Sequence, residues 1–311
     1  KNRVKAVKLR GSLSQGLIVP THRQSFMGAS FDAITKPGEE IPETLGVREG
    51  DDVTEFLGIT KYEPPIPSSM SGEVYNALGC TLHYDIENVK KYPGVLVEGE
   101  DEVVFTEKIH GTWACFGYHP KFDIPIITSK GLSAKGLAFK FNEQNEKNLY
   151  VQVYKSLDTD DRWLDLCERF ISAFGLDLDT DEIEPFYLLG EIFGQGVQDL
   201  TYGYNTKQFR VFDIYIGHPG NGRYLDWDEF EDVCKKMELE TVPVLYRGTF
   251  YKVEMERWTN GTEVVSGEDS HIREGIVITP TTERRDDEIG RVKLKSVSEA
   301  YLLRKGGTEF N

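Results

Sequence analysis

The 311-residue sequence offers little to build a disulfide framework or a zinc site: its four cysteines, Cys80, Cys115, Cys167 and Cys234, are scattered, with no C-x-x-C pair and no paired histidines nearby. A reducing, intracellular setting is expected, the cytoplasm first. Long apolar runs are missing as well. None approaches the roughly 18 to 20 residues that span a bilayer, and the N-terminal K-N-R-V carries no apolar signal core. A soluble protein without a membrane partner follows as the expectation. No G-x-x-x-x-G-K-[ST] loop occurs, which disfavours an ordinary P-loop ATPase. Basic charge is scarce, 36 Lys and Arg against 52 Asp and Glu for a net −16. That balance is awkward for an enzyme whose partner is a polyanion.

What is present softens the objection. Residues 1 to 24 hold six basic side chains, Lys1, Arg3, Lys5, Lys8, Arg10 and Arg23, and no acidic one. From residue 98 onward there are 25 basic and 40 acidic residues, so the acid is concentrated in the C-terminal two-thirds and a polyanion would be met by local patches. A composition of 39% hydrophobic and 12% aromatic residues can supply a core in each of two domains. The runs V-K-A-V-K-L-R and L-S-Q-G-L-I-V-P alternate, placing Val7 and Leu9 on one face and Lys8 and Arg10 on the other, as in strands of a small β-barrel. With V-T-E-F-L-G-I at 53–59 they make three strands, too few to close a five-stranded barrel. Either a front portion precedes this sequence, which begins without methionine, or the module is abbreviated. Pro64, Pro65 and Pro67 break helix and strand and mark a linker. Three segments are expected: a β module over 1–62, a linker and lead-in over 63–97, and a larger α+β domain over 98–311.

In the larger domain, Asp160 to Phe174 and Asp226 to Leu239 carry helical apolar stripes that give Cys167 and Cys234 a structural role, and Val297 to Arg304 predicts a last short helix. Strands carry the chemistry. V-V-F-T-E-K-I-H-G-T-W puts Lys108 just after a strand and three residues before Gly111, whose missing side chain permits close backbone approach. K-x-x-G alone describes any turn lysine. The segments that follow are more telling. Glu191 sits mid-strand in Y-L-L-G-E-I-F-G, where burial costs several kcal/mol unless a hydroxyl or cation satisfies it. Phe212, in F-R-V-F-D-I-Y-I, offers a ring for a base to stack on. Glu274 opens the strand E-G-I-V-I-T. Lys293 and Lys295, at i and i+2, point the same way while Val292 and Leu294 face the core, an arrangement an anion would relieve.

The ordered set Lys108-x-x-Gly111, Gly190-Glu191-x-x-Gly194, Phe212-Asp213, Glu274-Gly275 and Lys293-Leu294-Lys295 resembles motifs I, III, IIIa, IV and V of the covalent nucleotidyltransferases, which include DNA ligases, RNA ligases and capping enzymes. It spans about 190 residues. The resemblance implies a fold of antiparallel, ATP-grasp-like sheets with flanking helices. It implies Lys108 as the nucleophile that carries AMP, Glu191 on the ribose, Phe212 on adenine, Glu274 on a metal, and Lys293 with Lys295 on the α-phosphate. Glu107, Gly111 and Lys130 join the nucleotide-binding set. Glu191 and Glu274 are the expected holders of Mg²⁺ or Mn²⁺, through water where not directly. His110 stands where the family usually has aspartate. Imidazole suits manganese, and hydrogen bonding to loop backbone is the alternative role.

Only 16 residues follow Lys295, which leaves no room for the domain that trails motif V in DNA ligases and capping enzymes. The segments R-V-K-A-V-K-L-R-G-S-L-S-Q-G-L, E-G-D-D-V-T-E-F-L-G-I-T-K-Y-E-P-P and E-K-I-H-G-T resemble the end of the OB module, the linker and motif I of the ATP-dependent RNA ligase family whose OB module precedes the transferase domain, with the front of that module expected to be absent. That resemblance implies a monomer that seals nicked duplexes with RNA on the 3′-hydroxyl side, in RNA repair, with Lys5, Lys8 and Arg10 against the nucleic acid. A DNA ligase, a GTP-using capping-type enzyme and a non-catalytic nucleic-acid-binding protein are the alternatives.

Overall fold

The computed structural model describes residues 72–122, 124–157, 163–175 and 184–304, with the backbone of two short strands, β1 (Val7–Leu9) and β2 (Ser12–Ser14). The chain divides into two compact units, Lys1–Ile66 and Pro67–Asn311. In the first, β1 and β2 pair antiparallel with Lys8 opposite Leu13. The expected third strand at 53–59, Lys5, Arg10 and the side chain of Lys8 lie outside the described residues, as does the side chain of Cys167.

The second unit is built on two sheets. Its first strands are β3 (Val74–Asn76), β4 (Glu87–Asn88), β5 (Glu102–Glu107), β6 (Thr112–Tyr118), β7 (Ile126–Ser129) and β8 (Leu137–Phe139). There follow β9 (Phe186–Gly194), β10 (Lys207–Ile216), β11 (Arg223–Tyr224), β12 (Val244–Thr249) and β13 (Gly275–Pro280). A short hairpin of β14 (Arg285–Asp286) and β15 (Gly290–Arg291) precedes β16 (Leu294–Val297). Seven strands form one antiparallel sheet in the order β11-β10-β9-β6-β7-β8-β3. Five form the other, β12-β5-β13-β16-β4, antiparallel except where β16 meets β4.

Period-two alternation sorts the seven-stranded sheet into a helix-covered face and a site-facing one. Ala114 and Phe116 of β6 join Leu188 and Ile192 of β9 in one core cluster, which takes in Leu132 of the one-turn α1 (Lys130–Ser133) and lies under helices α2 (Leu149–Leu157), α3 (Trp163–Ala173) and α4 (Trp227–Lys236). Trp113 and Cys115 join Tyr187 and Leu189 on the opposite face, the face to which Glu191 belongs. Helix α4 starts where Asp226 and Glu229 form a capping box, which satisfies its first amide donors, and it buries Trp227, Phe230, Val233 and Cys234. Each such large apolar side chain stabilises the fold by about 1.5–3 kcal/mol. Helix α5 (Lys252–Thr259) packs on β13 and β16, with Phe105, Ile276, Ile278 and Leu294 beneath it. The last predicted helix is shorter than its pattern: Val297 stays in β16, and Ser298 caps α6 (Glu299–Leu302). No described helix is long and apolar enough to cross a membrane.

Candidate active site

The four-residue loop from Lys108 to Gly111 runs from the end of β5, in the smaller sheet, to the start of β6, in the larger. Its first residue is fixed to the smaller sheet, since the Lys108 N–H donates to the Gly275 carbonyl at 3.0 Å. Its last residue is pressed on the larger one: a Cβ at Gly111 would lie 2.2 Å from the Ile192 carbonyl oxygen and 3.0 Å from Glu191 Cγ. Backbone cannot step aside as a side-chain tip can. Gly111→Ala is therefore expected to cost about 1–3 kcal/mol and to misplace the loop, seen as a lower urea midpoint together with slower chemistry at Lys108. An unchanged midpoint would show that the loop relaxes freely.

This crossing borders a pocket of about 390 Å³. Lys108, Glu107, Gly111, Lys130, Glu191, Phe212, Lys293 and Lys295 all line it, drawn from β5, β9, β10 and β16, from the loops beside β5 and β16, and from the helical turn at Lys130. Phe212 reaches it because β10 bulges between Val211 and Asp213, where the register against β9 shifts and re-aims a side chain. Glu274 stands behind the lining, almost wholly buried, with its Oε1 ion-paired to Lys108 Nζ. Lys130 bonds Asp85 at 3.1 Å at the exposed rim. His110 is 2% exposed and does not line the pocket. Its Nε2 lies 2.7 Å from Asp199 Oδ1, its Nδ1 2.7 Å from the Tyr301 hydroxyl and 3.8 Å from Glu274 Oε2. Its N–H donates to the Tyr202 hydroxyl at 2.6 Å.

Charge inside the pocket is strained in both directions. Burial pushes the Glu191 carboxyl from 4.5 up to about 8; Lys108 and Lys130 pull it down and Glu274 adds to the rise. Glu107 is pushed up to about 7 by burial, against the Val264 N–H and Arg273. Its Oε2 accepts from Val264 at 2.8 Å, and its Oε1 has no hydrogen-bond partner among the described residues. Burial, then the neighbouring Lys108, lowers Lys295. Lys293 is also lowered by burial, with Asp213 opposing.

A testable pH dependence follows. Above its ordinary value of 6.5, the buried His119, lowered to about 4, no longer contributes a slope. Glu191 binds its proton more tightly folded than unfolded, so its contribution to stability is lost as pH rises through about 8. Melting temperatures of the ligand-free protein are expected to fall between about pH 6.5 and about pH 8, with Glu107 contributing up to about pH 7, and Glu191→Gln to flatten the remainder of that fall. A slope unaltered by the substitution would remove Glu191 as its source.

Several members of the site went unread in sequence. Tyr84 and Trp113 add rings to the pocket, Tyr84 packing 5.4 Å from Phe212 between ring centres. Asp213 draws Arg291, Lys293 and the Tyr84 hydroxyl onto one carboxylate, and these cations outweigh burial to hold it down at about 2. Arg291 was legible in principle, because it precedes Lys293 by two residues in R-V-K-L-K and so shares its face. Asp199 and Tyr301 fall a few residues past the motifs ending at Gly194 and Lys295, and Tyr84 well before Lys108, but no local signal marks any of the three.

Among the described residues no group of three or more His, Cys, Asp or Glu side chains is arranged to hold a metal ion directly. The donors that suit a hard cation are the Glu191 and Glu274 carboxylates flanking Lys108.

A family model described as RNA ligase matches residues 101–297, which is more than half of the chain and contains every motif from Lys108 to Lys295. The chain belongs to the RNA ligase family. Solved structures similar to this RNA ligase include a variant of Naegleria gruberi RNA ligase with AMP and Mn, 22% identical at a TM-score of 0.56, covering 96% of this chain and 76% of that one. Another variant of it with ATP and Mn is 23% identical at a TM-score of 0.56, with the same coverage. The Naegleria ligase with PPi is 24% identical at 0.52, covering 96% and 75%. These likenesses show a shared fold. Comparison with curated protein sequences gave no match.

Proposed function

We propose that this RNA ligase uses ATP to seal 3′-hydroxyl and 5′-phosphate ends of nicked, RNA-containing duplexes through a lysyl-AMP intermediate on Lys108. The observation that carries the reading is the convergence of Lys108 with a buried carboxylate, three further lysines and a stacking ring on one pocket of nucleotide size. Lys108 Nζ attacks the α-phosphorus of ATP, a P–N bond forms, and pyrophosphate leaves. The amine must shed a proton to attack, and Glu274 is the base in contact with it. Lys293 and Lys295 stabilise the charge that develops on the α-phosphate, while Phe212, backed by the Tyr84 ring, stacks on the base and Glu191 accepts from the ribose. AMP then passes to a 5′-phosphate, and a 3′-hydroxyl displaces it to close the phosphodiester.

A divalent cation, held through Glu191 and Glu274, supplies charge neutralisation for the phosphates. The AMP, ATP and Mn in the Naegleria structures support this choice of ligands. His110 holds the loop in place instead of joining the metal, because both of its ring nitrogens already face Asp199 and Tyr301. We assign Lys5, Lys8 and Arg10 to duplex contact and RNA repair as the role.

The test is incubation with α-labelled ATP or GTP and Mg²⁺ or Mn²⁺, followed by denaturation, then nicked duplexes with RNA or DNA on the 3′-hydroxyl side. Acid-labile label from ATP alone, and sealing that needs RNA at the 3′-hydroxyl, are the expected results. Label from GTP would turn the reading to a capping-type enzyme, and no label on chain shown to be free of AMP would end it.

A further inference from the structure

Arg291 does not line the pocket, yet its contacts lead there. Its guanidinium lies 3.5 Å over the Tyr224 ring and forks onto Asp213, Nη1 donating to Oδ2 at 2.7 Å and Nη2 to Oδ1 at 2.9 Å. Nε donates to Glu283 at 2.8 Å, and Nη2 touches the other Glu283 oxygen. Asp213 Oδ2 accepts two further bonds, from the Tyr84 hydroxyl at 2.9 Å and from Lys293 Nζ at 2.8 Å. Lys293 also donates to the Phe212 carbonyl at 3.1 Å. Two pocket residues, Tyr84 and Lys293, thus hang on a carboxylate that Arg291 clamps from outside, and Lys293 ties in the backbone of a third, Phe212.

The charges in this cluster cancel: Asp213 and Glu283 against Arg291 and Lys293. A lysine beside a lone buried aspartate would be drawn fully onto it. Here a planar fork spans both Asp213 oxygens, so Lys293 holds only a share of Oδ2, adds one bond to the Phe212 carbonyl, and still lines the pocket.

We propose that Arg291 is a positioning residue for adenylyl transfer: by clamping and neutralising Asp213 it sets where the Lys293 ammonium stands against the α-phosphate. This rests on the reading of Lys293 as a phosphate contact. Arg291→Lys separates charge from clamp, because an ammonium keeps the charge and cannot span both oxygens.

The experiment is single-turnover adenylylation of the whole chain with α-labelled ATP over a range of concentrations. In Arg291→Lys the limiting rate constant is expected to fall at least about 10-fold while half-saturating ATP moves less than about 3-fold. Glu283→Gln, which loosens the guanidinium without touching Asp213, should give a smaller fall of the same kind. Arg284→Gln serves as the control, because that neighbouring side chain bonds the Val95 carbonyl and Asp101 instead. It should lower the melting temperature and spare the rate. A rate constant for Arg291→Lys within about 2-fold of the intact chain, a loss confined to half-saturation, or an equal loss in Arg284→Gln would overturn the proposal. Should Arg291→Lys fail to fold, Glu283→Gln decides by the same criteria. If the intact chain takes no label, the function proposed above falls first and this inference with it; if it labels normally and the Arg291 variants do too, only the inference falls.

Discussion

Lys108→Ala is expected to carry no covalent AMP after incubation with α-labelled ATP, and to seal nicks at least about 10⁴-fold more slowly than the intact chain. The reason is geometric as well as chemical. Four lysines line the pocket, but Lys293 is tied to Asp213 and the Phe212 carbonyl, Lys130 to Asp85 at the rim, and Lys295 projects from β16. Lys108 alone among them is ion-paired to Glu274, next to Glu191. The substitution should be selective along the reaction path. A duplex already bearing AMP on its 5′-phosphate needs no lysine nucleophile, so Lys108→Ala should still seal it at a rate comparable with the intact protein. Label that survived on the variant would move the nucleophile to another lysine, and loss of both activities would point to a damaged fold.

Asp213→Ala should be the most destabilising single change at the site. Removing the carboxylate leaves the Arg291 and Lys293 side chains, 14% and 3% exposed, without their shared anion. Breaking a buried pair by deleting one partner costs about 3–5 kcal/mol, and the buried Tyr84 hydroxyl loses its acceptor as well. Urea unfolding of the ligand-free protein reads this directly as a lowered midpoint at unchanged slope. Combined with Lys293→Met, the loss should be smaller than the sum of the single changes, since one stranded charge is gone. A cost under about 1 kcal/mol would mean that water reaches the cations once the carboxylate is removed.

The site's chemistry was more legible than its supports. Motif lysines and glutamates fall on alternating strands, and alternation is a local code: it put Glu191 on the face of Tyr187 and Leu189, and Lys293 and Lys295 on one side of Leu294. Helix α4 was read nearly to its ends because the stripe of Trp227, Phe230, Val233 and Cys234 repeats at helical spacing. Three-dimensional convergence has no such code. The pairing of His110 with Tyr301 joins residues 191 positions apart, and Tyr84 reaches Asp213 across 129. Nor does sequence reveal that Phe212 sits at a bulge, because a bulge is set by the register of two strands and not by either alone. Read locally, the two motif V lysines are equivalent; burial separates them, with Lys293 packed inside and Lys295 half-buried.

The loop that carries the nucleophile is fastened at both ends to different bodies: Lys108 to Gly275 in one sheet, Gly111 against Ile192 in the other. Only two residues, Ile109 and His110, lie between these moorings, and both are buried. Such a short tether has no slack to absorb movement. Were the two sheets to part, that tether would carry the movement straight to the backbone of the nucleophile, so that opening the cleft and retracting Lys108 would be a single motion.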